Sequence, residues 1–345
     1  MKTYLVKLAA VVVIMMVGHY VILFTIRTPI PAEYWVREFI VVKQYQAAAM
    51  PSPKLIFAGG SFTLFGIDAV EVQRSLGLPA INLGLHAGMR LEDHLAEVSL
   101  AAKPGDVVVL SLEPAYYNYY TYRWNGWDLR NAIAWDHASL DSLPFGRRLQ
   151  LFVESSDISI SLDLVETGII EHFFPTSLRR RQEALGPDQA IIARYLAEQG
   201  KSPVFVFDIS NLDSNGDMLN TEGTTIALEG KKTSPMEPAS ISPYAESVLV
   251  PFLAEMKNRQ VRVFFDYTPY MLSLKPGEEW KESEVAFSGE IRRIGGELLE
   301  QRDAFFYPNS LFFNSYLHLN AQGREKRTQT LIEALRHKLK LPAGS

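Results

Sequence analysis

Three kinds of hydrophobic pattern divide this 345-residue chain. The first is unbroken: Leu8 to Ile26 is 19 residues without Asp, Glu, Lys or Arg, interrupted only by Gly18 and His19. About 20 apolar residues span a bilayer as a helix, and the absence of a polar face argues against a core helix. The second pattern alternates short apolar runs with amphipathic stretches. Lys54–Ala58 reads as a strand, Ala69–Leu76 as a helix, Pro79–Leu83 as a strand ending at Gly84, and Arg90–Ala102 as an amphipathic helix. Lys103-Pro-Gly-Asp106 is a turn, and Val107–Leu112 is a third strand. The rhythm returns late, with a helix at Ser247–Asn258, a strand at Val261–Phe265, a long helix at Glu278–Glu300, a short strand at Ala304–Tyr307 and a closing helix from Asn320 to Leu341, capped by Asn320. Continuous apolar runs separated by helices predict a parallel sheet of five strands covered on both faces. The third pattern, from about 116 to 245, breaks the rhythm with helical stretches near 145–152 and 175–199 and one apolar run, Pro203–Phe207, that reads as a strand. It predicts an insertion at the carboxyl edge of the sheet, where α/β ligand sites form.

The expected organisation is therefore an anchor over 1–27, a connector over 28–53 with a helical piece at Ala32–Ala49, and an α/β domain over 54–341 that carries the insertion. Lys2 and Lys7 precede the apolar run, so the positive-inside bias puts the N-terminus in the cytoplasm and the bulk of the chain in the periplasm or outside the cell. Arg27-Thr-Pro-Ile-Pro31 offers no small-x-small cleavage site, which favours an uncleaved anchor over a signal peptide. The net charge is -5, and no block of Lys and Arg suggests a nucleic-acid groove. Cysteine is absent, which excludes disulfides, thiolate catalysis and Cys-zinc sites. Glu92, Asp93 and His94 crowd one helical stretch and read as a solvated face, so neither a metal nor another cofactor is expected.

Candidate chemistry begins at Gly59-Gly60-Ser61, where an apolar strand stops and a helix starts. A hydroxyl at such a turn is exposed for attack, beside helix N-terminal N–H groups that can hold an oxyanion. Ser61 needs a base, and His318 is placed for it, after the last predicted strand and before the last helix. The Ser61 N–H, the Gly84 N–H and the Asn82 amide are the candidate oxyanion donors, with Asn320 a further amide at the closing helix. His86 lies close by as a substrate contact or second base. Tyr116, Tyr117, Tyr119, Tyr120, Tyr122, Trp124 and Trp127 crowd the start of the insertion. Flat rings with polar tips suit sugar stacking, a protein interface or a membrane surface. Tyr116, Tyr117, Trp124 and Trp127 are the candidate glycan contacts.

Gly59-Gly-Ser61, Asn82-Leu-Gly84 and His318-Leu-Asn320 before a terminal helix resemble blocks I, II and V of the SGNH/GDSL hydrolases. With the N-terminal apolar run, the chain resembles the membrane-anchored DltD-like and AlgX/AlgJ-like polysaccharide O-acyltransferases. The resemblance implies a flavodoxin-like three-layer sandwich, a serine acyl-enzyme without a cofactor, and esterase or O-acyltransferase chemistry on a cell-surface or exported polysaccharide. It also implies a membrane-bound acyltransferase as partner. Two departures stand out. Where the family's third block has Gly-x-Asn-Asp, this chain has Ser111-Leu-Glu-Pro-Ala115, and an ionised Glu113 cannot donate to an oxyanion. Where the family has Asp three residues before its His, this chain has Ser315, with Asn314 beside it. Glu113, Asp266 and Asn314 are the candidates for orienting His318 or contacting substrate. The departures leave two rivals to an enzyme: a non-catalytic component of a polysaccharide synthesis or export complex, and a carbohydrate-binding module.

Overall fold

Four of the apolar runs pair as a parallel sheet in the computed structural model, which describes residues 2–25, 29–118, 126–154, 158–174, 179–225, 236–278 and 280–342. The strands are β1 (Leu55–Gly59), β2 (Ala80–Gly84), β3 (Val107–Ser111) and β4 (Arg262–Phe265), in the order β2-β1-β3-β4. A separate parallel pair joins β5 (Tyr270–Met271) to β6 (Phe306–Tyr307). The helices are α1 (Lys2–Thr25), α2 (Tyr34–Ala49), α3 (Ser61–Gly66), α4 (Ala69–Leu76), α5 (Leu91–Ala101), α6 (Pro114–Asn118), α7 (Gly126–Trp135) and α8 (His137–Ser142). They continue as α9 (Phe145–Glu154), α10 (Ile158–Phe173), α11 (Arg179–Ala184), α12 (Asp188–Glu198), α13 (Pro243–Asn258), α14 (Trp280–Arg293) and α15 (Ala321–Leu339).

Every residue of β1, β2 and β3 is buried, which is why these runs are apolar without alternation. The register aligns Gly59 with Gly84 on one side and with Ser111 on the other, so three strands end level at the carboxyl edge. Local chemistry sets the helix ends. Asp68 caps α4 by accepting from Glu71 N, and Gly77 closes that helix in the left-handed region at φ 68. Asn320 caps α15 as expected, its Oδ1 accepting from Gly323 N at 3.0 Å.

The sheet differs from the expectation in three places. The run Ala304–Tyr307 contributes only β6, which pairs with β5 rather than with the main sheet; beside β4 there is instead a single parallel bridge between Phe265 and Leu298. The helix expected to reach Glu300 stops at Arg293, ahead of Gly295 at φ 88. Pro203–Phe207 forms turns, not a strand: Asp208 accepts from Val204 N and Ser210 N, offering that backbone local partners in place of a ladder.

The chain divides into two compact units, residues 1–38 with 123–191 and residues 39–122 with 192–345. The first is helical. In it the end of α1 packs on α9 and α10, Glu33 N donates to Asn131 Oδ1 at 2.9 Å, and Arg130 pairs with Asp163. The second holds the sheet and α13 to α15. The stretch read as one insertion is thus shared between the units, and the connector contains a largely buried α2.

Candidate active site

Ser61 is the first residue of α3, directly after the β1 strand end. Gly59 has φ +152, and a Cβ there would overlap the Ser111 carbonyl, so only glycine closes this turn against β3. A Cβ on Gly60 would overlap the Glu113 carboxyl. The Gly60 carbonyl accepts from Thr63 N at 3.1 Å and Leu64 N at 3.2 Å, starting the helix. This strand-to-helix turn agrees with its sequence signature.

Two expected oxyanion donors are already engaged. Gly84 N donates to Asn82 Oδ1 at 2.8 Å, and Asn82 Nδ2 donates to Asp217 Oδ1 at 3.0 Å and Thr63 O at 3.1 Å. Asn82 is fully buried and brackets β2 to α3; neither it nor Gly84 offers a free N–H. Gly84 is glycine for a different reason, since a Cβ would overlap the Leu64 backbone where α3 lies across β2. Asn320 spends its amide on Gly223 O and Ser310 O. Behind Asn82 stand two groups with no local sequence signal. Lys43 Nζ donates to Asn82 O and Gly216 O, both at 2.7 Å, and Asp217 Oδ2 accepts from Ala69 N at 2.6 Å. Burial pushes the Lys43 ammonium down to about 7 against the pull of Asp217 and Asp213, and burial raises the Asp217 carboxyl.

Asp266 does not orient His318. Its Oδ2 accepts from Arg327 Nη2 at 2.7 Å and from Ser111 Oγ at 2.8 Å, and Arg327 Nη1 donates to Phe62 O at 2.9 Å. The buried pair therefore braces α3 from behind. Burial raises the Asp266 carboxyl while Arg327 opposes the rise. Arg327 reads in sequence as one more basic residue of a charged terminal helix, so its role was invisible there.

Of the three candidates, Asn314 is the one in contact with the His318 ring. Its Oδ1 lies 2.7 Å from His318 Nδ1, so a proton on Nδ1 donates to it and leaves Nε2 with a free lone pair. The loop that presents His318 is tied locally. Ser315 Oγ accepts from Leu317 N and His318 N, and Phe313 N donates to His318 O at 2.8 Å. The ring stacks on Phe65, centroids 4.2 Å apart and 9° from parallel. Phe65 is four residues beyond Ser61, hence on the same face of α3 one turn later. Packing of the ring, with the nearby His86, holds the His318 pKa down at about 3, so the imidazole is neutral. Among the described residues no hydrogen bond joins Ser61 Oγ to His318. His86 follows β2, and its Nδ1 accepts from Gly88 N at 2.9 Å.

Glu113 is the site's unbalanced group. It is buried at the β3 end against Gly60, and neither carboxyl oxygen has a hydrogen-bond partner among the described residues. Burial raises its pKa to about 7; the N–H groups of Glu113 itself, Gly60 and Ser61 face it without reaching good hydrogen-bond geometry and only temper the rise.

The aromatic run is not a sugar platform at its start. Tyr116 and Tyr117 are buried: Tyr116 Oη donates to Met89 O at 2.6 Å and lies 2.9 Å from His94 Nε2, and Tyr117 packs edge-on against Phe287. Their spacing on α6 turns them into the core. Trp127 lies on α7 in the first unit, and Trp124 is outside the described residues. Neither a family model nor a curated protein matches the chain.

Proposed function

We propose that this chain is a membrane-anchored acyl-transfer protein of SGNH type that adds or removes an acyl group, acetyl being the simplest, on a cell-surface or exported polysaccharide. The observation that carries the reading is Ser61 at a strand-to-helix turn, with the neutral His318 ring stacked on Phe65 one turn along the same helix and its Nδ1 facing Asn314. The strand order β2-β1-β3-β4 supports it, being the first four strands of the flavodoxin-like order. In α1, Thr3–Thr25 is long and apolar enough to cross a membrane, which supports the anchor, and Lys2 and Lys7 support an extra-cytoplasmic site.

In the proposed mechanism Ser61 Oγ attacks the ester carbonyl carbon and its proton passes to His318 Nε2. The two side chains, not hydrogen-bonded in the structure, close to hydrogen-bond distance for that transfer. The Ser61 N–H and the acid form of Glu113 donate to the oxyanion; a protonated carboxyl there supplies the hydrogen bond that the family's third-block Asn would give. Collapse of the intermediate expels the alcohol, which takes the proton from His318. A sugar hydroxyl, or water, then attacks the acyl-Ser61 carbonyl, giving a transferase or an esterase. Asn314 fixes the imidazole tautomer and carries no charge to stabilise an imidazolium, so slow turnover is expected.

A non-catalytic role in a polysaccharide complex has its own support: the engaged Gly84 and Asn82 donors and the stacked His318 ring. Intact mass after a fluorophosphonate probe separates the readings. One adduct that disappears in Ser61→Ala marks a working nucleophile. No adduct, with a reactive control hydrolase labelled in parallel, or full acetyl-esterase activity in Ser61→Ala, overturns the acyl-enzyme reading.

A further inference from the structure

In the first unit the helices that flank α1 leave an apolar face open. On α9, Phe145, Leu149 and Val153 recur every four residues and are exposed, Phe145 by 70% and Val153 by 61%. Leu151 and Phe152 of the same helix are buried, and Arg147 and Gln150 form a third, polar side, joined at 2.7 Å. On α10, Leu162, Val165, Ile169 and Phe173 recur at spacings of three and four and are also exposed, Leu162 by 63% and Phe173 by 65%. Glu166 and His172 border that stripe, while Ile160, Leu164 and Thr167 face inward. Each helix therefore has two apolar faces, one spent on packing and one facing outward, and a soluble surface helix needs only the first.

The position of α1 says what covers the second face. The uncharged stretch of α1 starts at Leu8, after Lys7, and only Leu8–Val17 is wholly exposed. Those ten residues span about 15 Å at 1.5 Å per residue, roughly half of a hydrocarbon core of about 30 Å. Even with Lys7 snorkelling and the count begun at Thr3, the free length is only about 22 Å. A crossing must therefore include Gly18–Thr25, the part that packs on α9 and α10. His19 hydrogen-bonds Ser161, and the Tyr20 ring lies 5.6 Å from Phe152 and 6.3 Å from Phe145. The exposed α9 stripe is thus continuous with the membrane-crossing helix through Phe145.

We infer that α9 and α10 lie in the membrane interface, their Phe145-Leu149-Val153 and Leu162-Val165-Ile169-Phe173 stripes inserted among acyl chains beside the final turns of α1. The occupant is lipid. Interfacial helices sink their apolar face about 5–10 Å, close to the roughly 8 Å by which the free length of about 22 Å falls short of a core of about 30 Å. Arg147, on the polar side of α9, suits anionic headgroups. The inference rests on the reading of α1 as a membrane span.

The chain has no cysteine, so single-cysteine variants carry one label each. Full-length Phe145→Cys, Leu162→Cys and Ile169→Cys would be labelled with an environment-sensitive NBD dye and placed in phosphatidylethanolamine/phosphatidylglycerol nanodiscs. Val12→Cys in α1 serves as the membrane reference, and Gln150→Cys, on the polar side of α9, as the aqueous one. Quenching by doxyl-labelled lipid at least about twofold above the Gln150 value is expected at all three positions. Labels at Leu162 and Ile169 that iodide quenches and doxyl lipid does not would overturn the inference. So would labels shielded from both, which would assign the face to protein. An unquenched Val12 label would instead remove the spanning reading of α1 itself.

Discussion

The ends of β2 and β3 lie level in the sheet, yet they treat polar groups in opposite ways. At the β2 end, Asn82, Gly84, Asp217 and Lys43 satisfy one another and the backbone of α3. At the β3 end, Glu113 keeps both carboxyl oxygens buried and, among the described residues, without partners, beside the Gly60-Ser61 turn. A satisfied buried network holds a fold, whereas an unsatisfied buried acid is maintained against its own desolvation and points to a task. The satisfied network and the unsatisfied acid are thus separated by two strand positions.

The largest effect should come from the brace behind the turn. Arg327→Met leaves Asp266 as an unpaired buried acid and should destabilise the second unit by about 3–5 kcal/mol in urea unfolding. Adding Asp266→Leu should return at least half of that, as expected when the penalty is an orphaned charge rather than lost packing. If the double variant is no better than the single, the brace works through shape. Next, Asn82→Ala strands Gly84 N–H and Asp217 Oδ1 and should lose about 3 kcal/mol; an unchanged unfolding midpoint would break the claim that the β2 end is structural.

Glu113→Gln should do the reverse. The folded pKa of Glu113, about 7, lies above its ordinary 4.5, so the folded state holds the extra proton between those values. Stability from this group is therefore fully present below pH 4.5 and lost as pH rises through about 7. The variant should gain on the wild type across that window, reaching about 3 kcal/mol at pH 8. In the acyl-transfer reading, wild-type activity should fall above about pH 7 as Glu113 ionises, and Glu113→Gln, whose amide still donates, should flatten that limb. A wild-type limb that survives in Glu113→Gln assigns the titration elsewhere. The smallest effect is expected at the orienting group. Asn314→Ala should lower the acyl-transfer rate about tenfold through loss of the Nδ1 tautomer, and Asn314→Asp should raise it by stabilising the imidazolium. Equal rates in the three proteins would detach Asn314 from the chemistry.

Much of this site was legible before the fold. Gly59-Gly-Ser61 is a local turn, and its glycines are required by contacts one strand away. Asn320 as a cap and Asn314 beside His318 are relationships across four residues or fewer. Lys43, Asp217 and Arg327 were missed because each acts on residues tens to hundreds of positions distant, and each resembles an ordinary surface charge in sequence. Tyr116 and Tyr117 misled because an aromatic run reads alike whether it faces solvent or the core.

The sequence by itself determined the parallel α/β pattern, the serine turn, the helix caps and the apolar reach of α1, since each depends on periodicity or on neighbours within a turn of chain. Only the tertiary structure decided which donors remain free, which acid pairs with Arg327, which aromatics are buried and which faces of α9 and α10 stay open. A hydrogen-bond donor is spent once, and a side chain has one environment. Both are allocated by partners that chain folding brings together, and no local pattern records which partner arrives first.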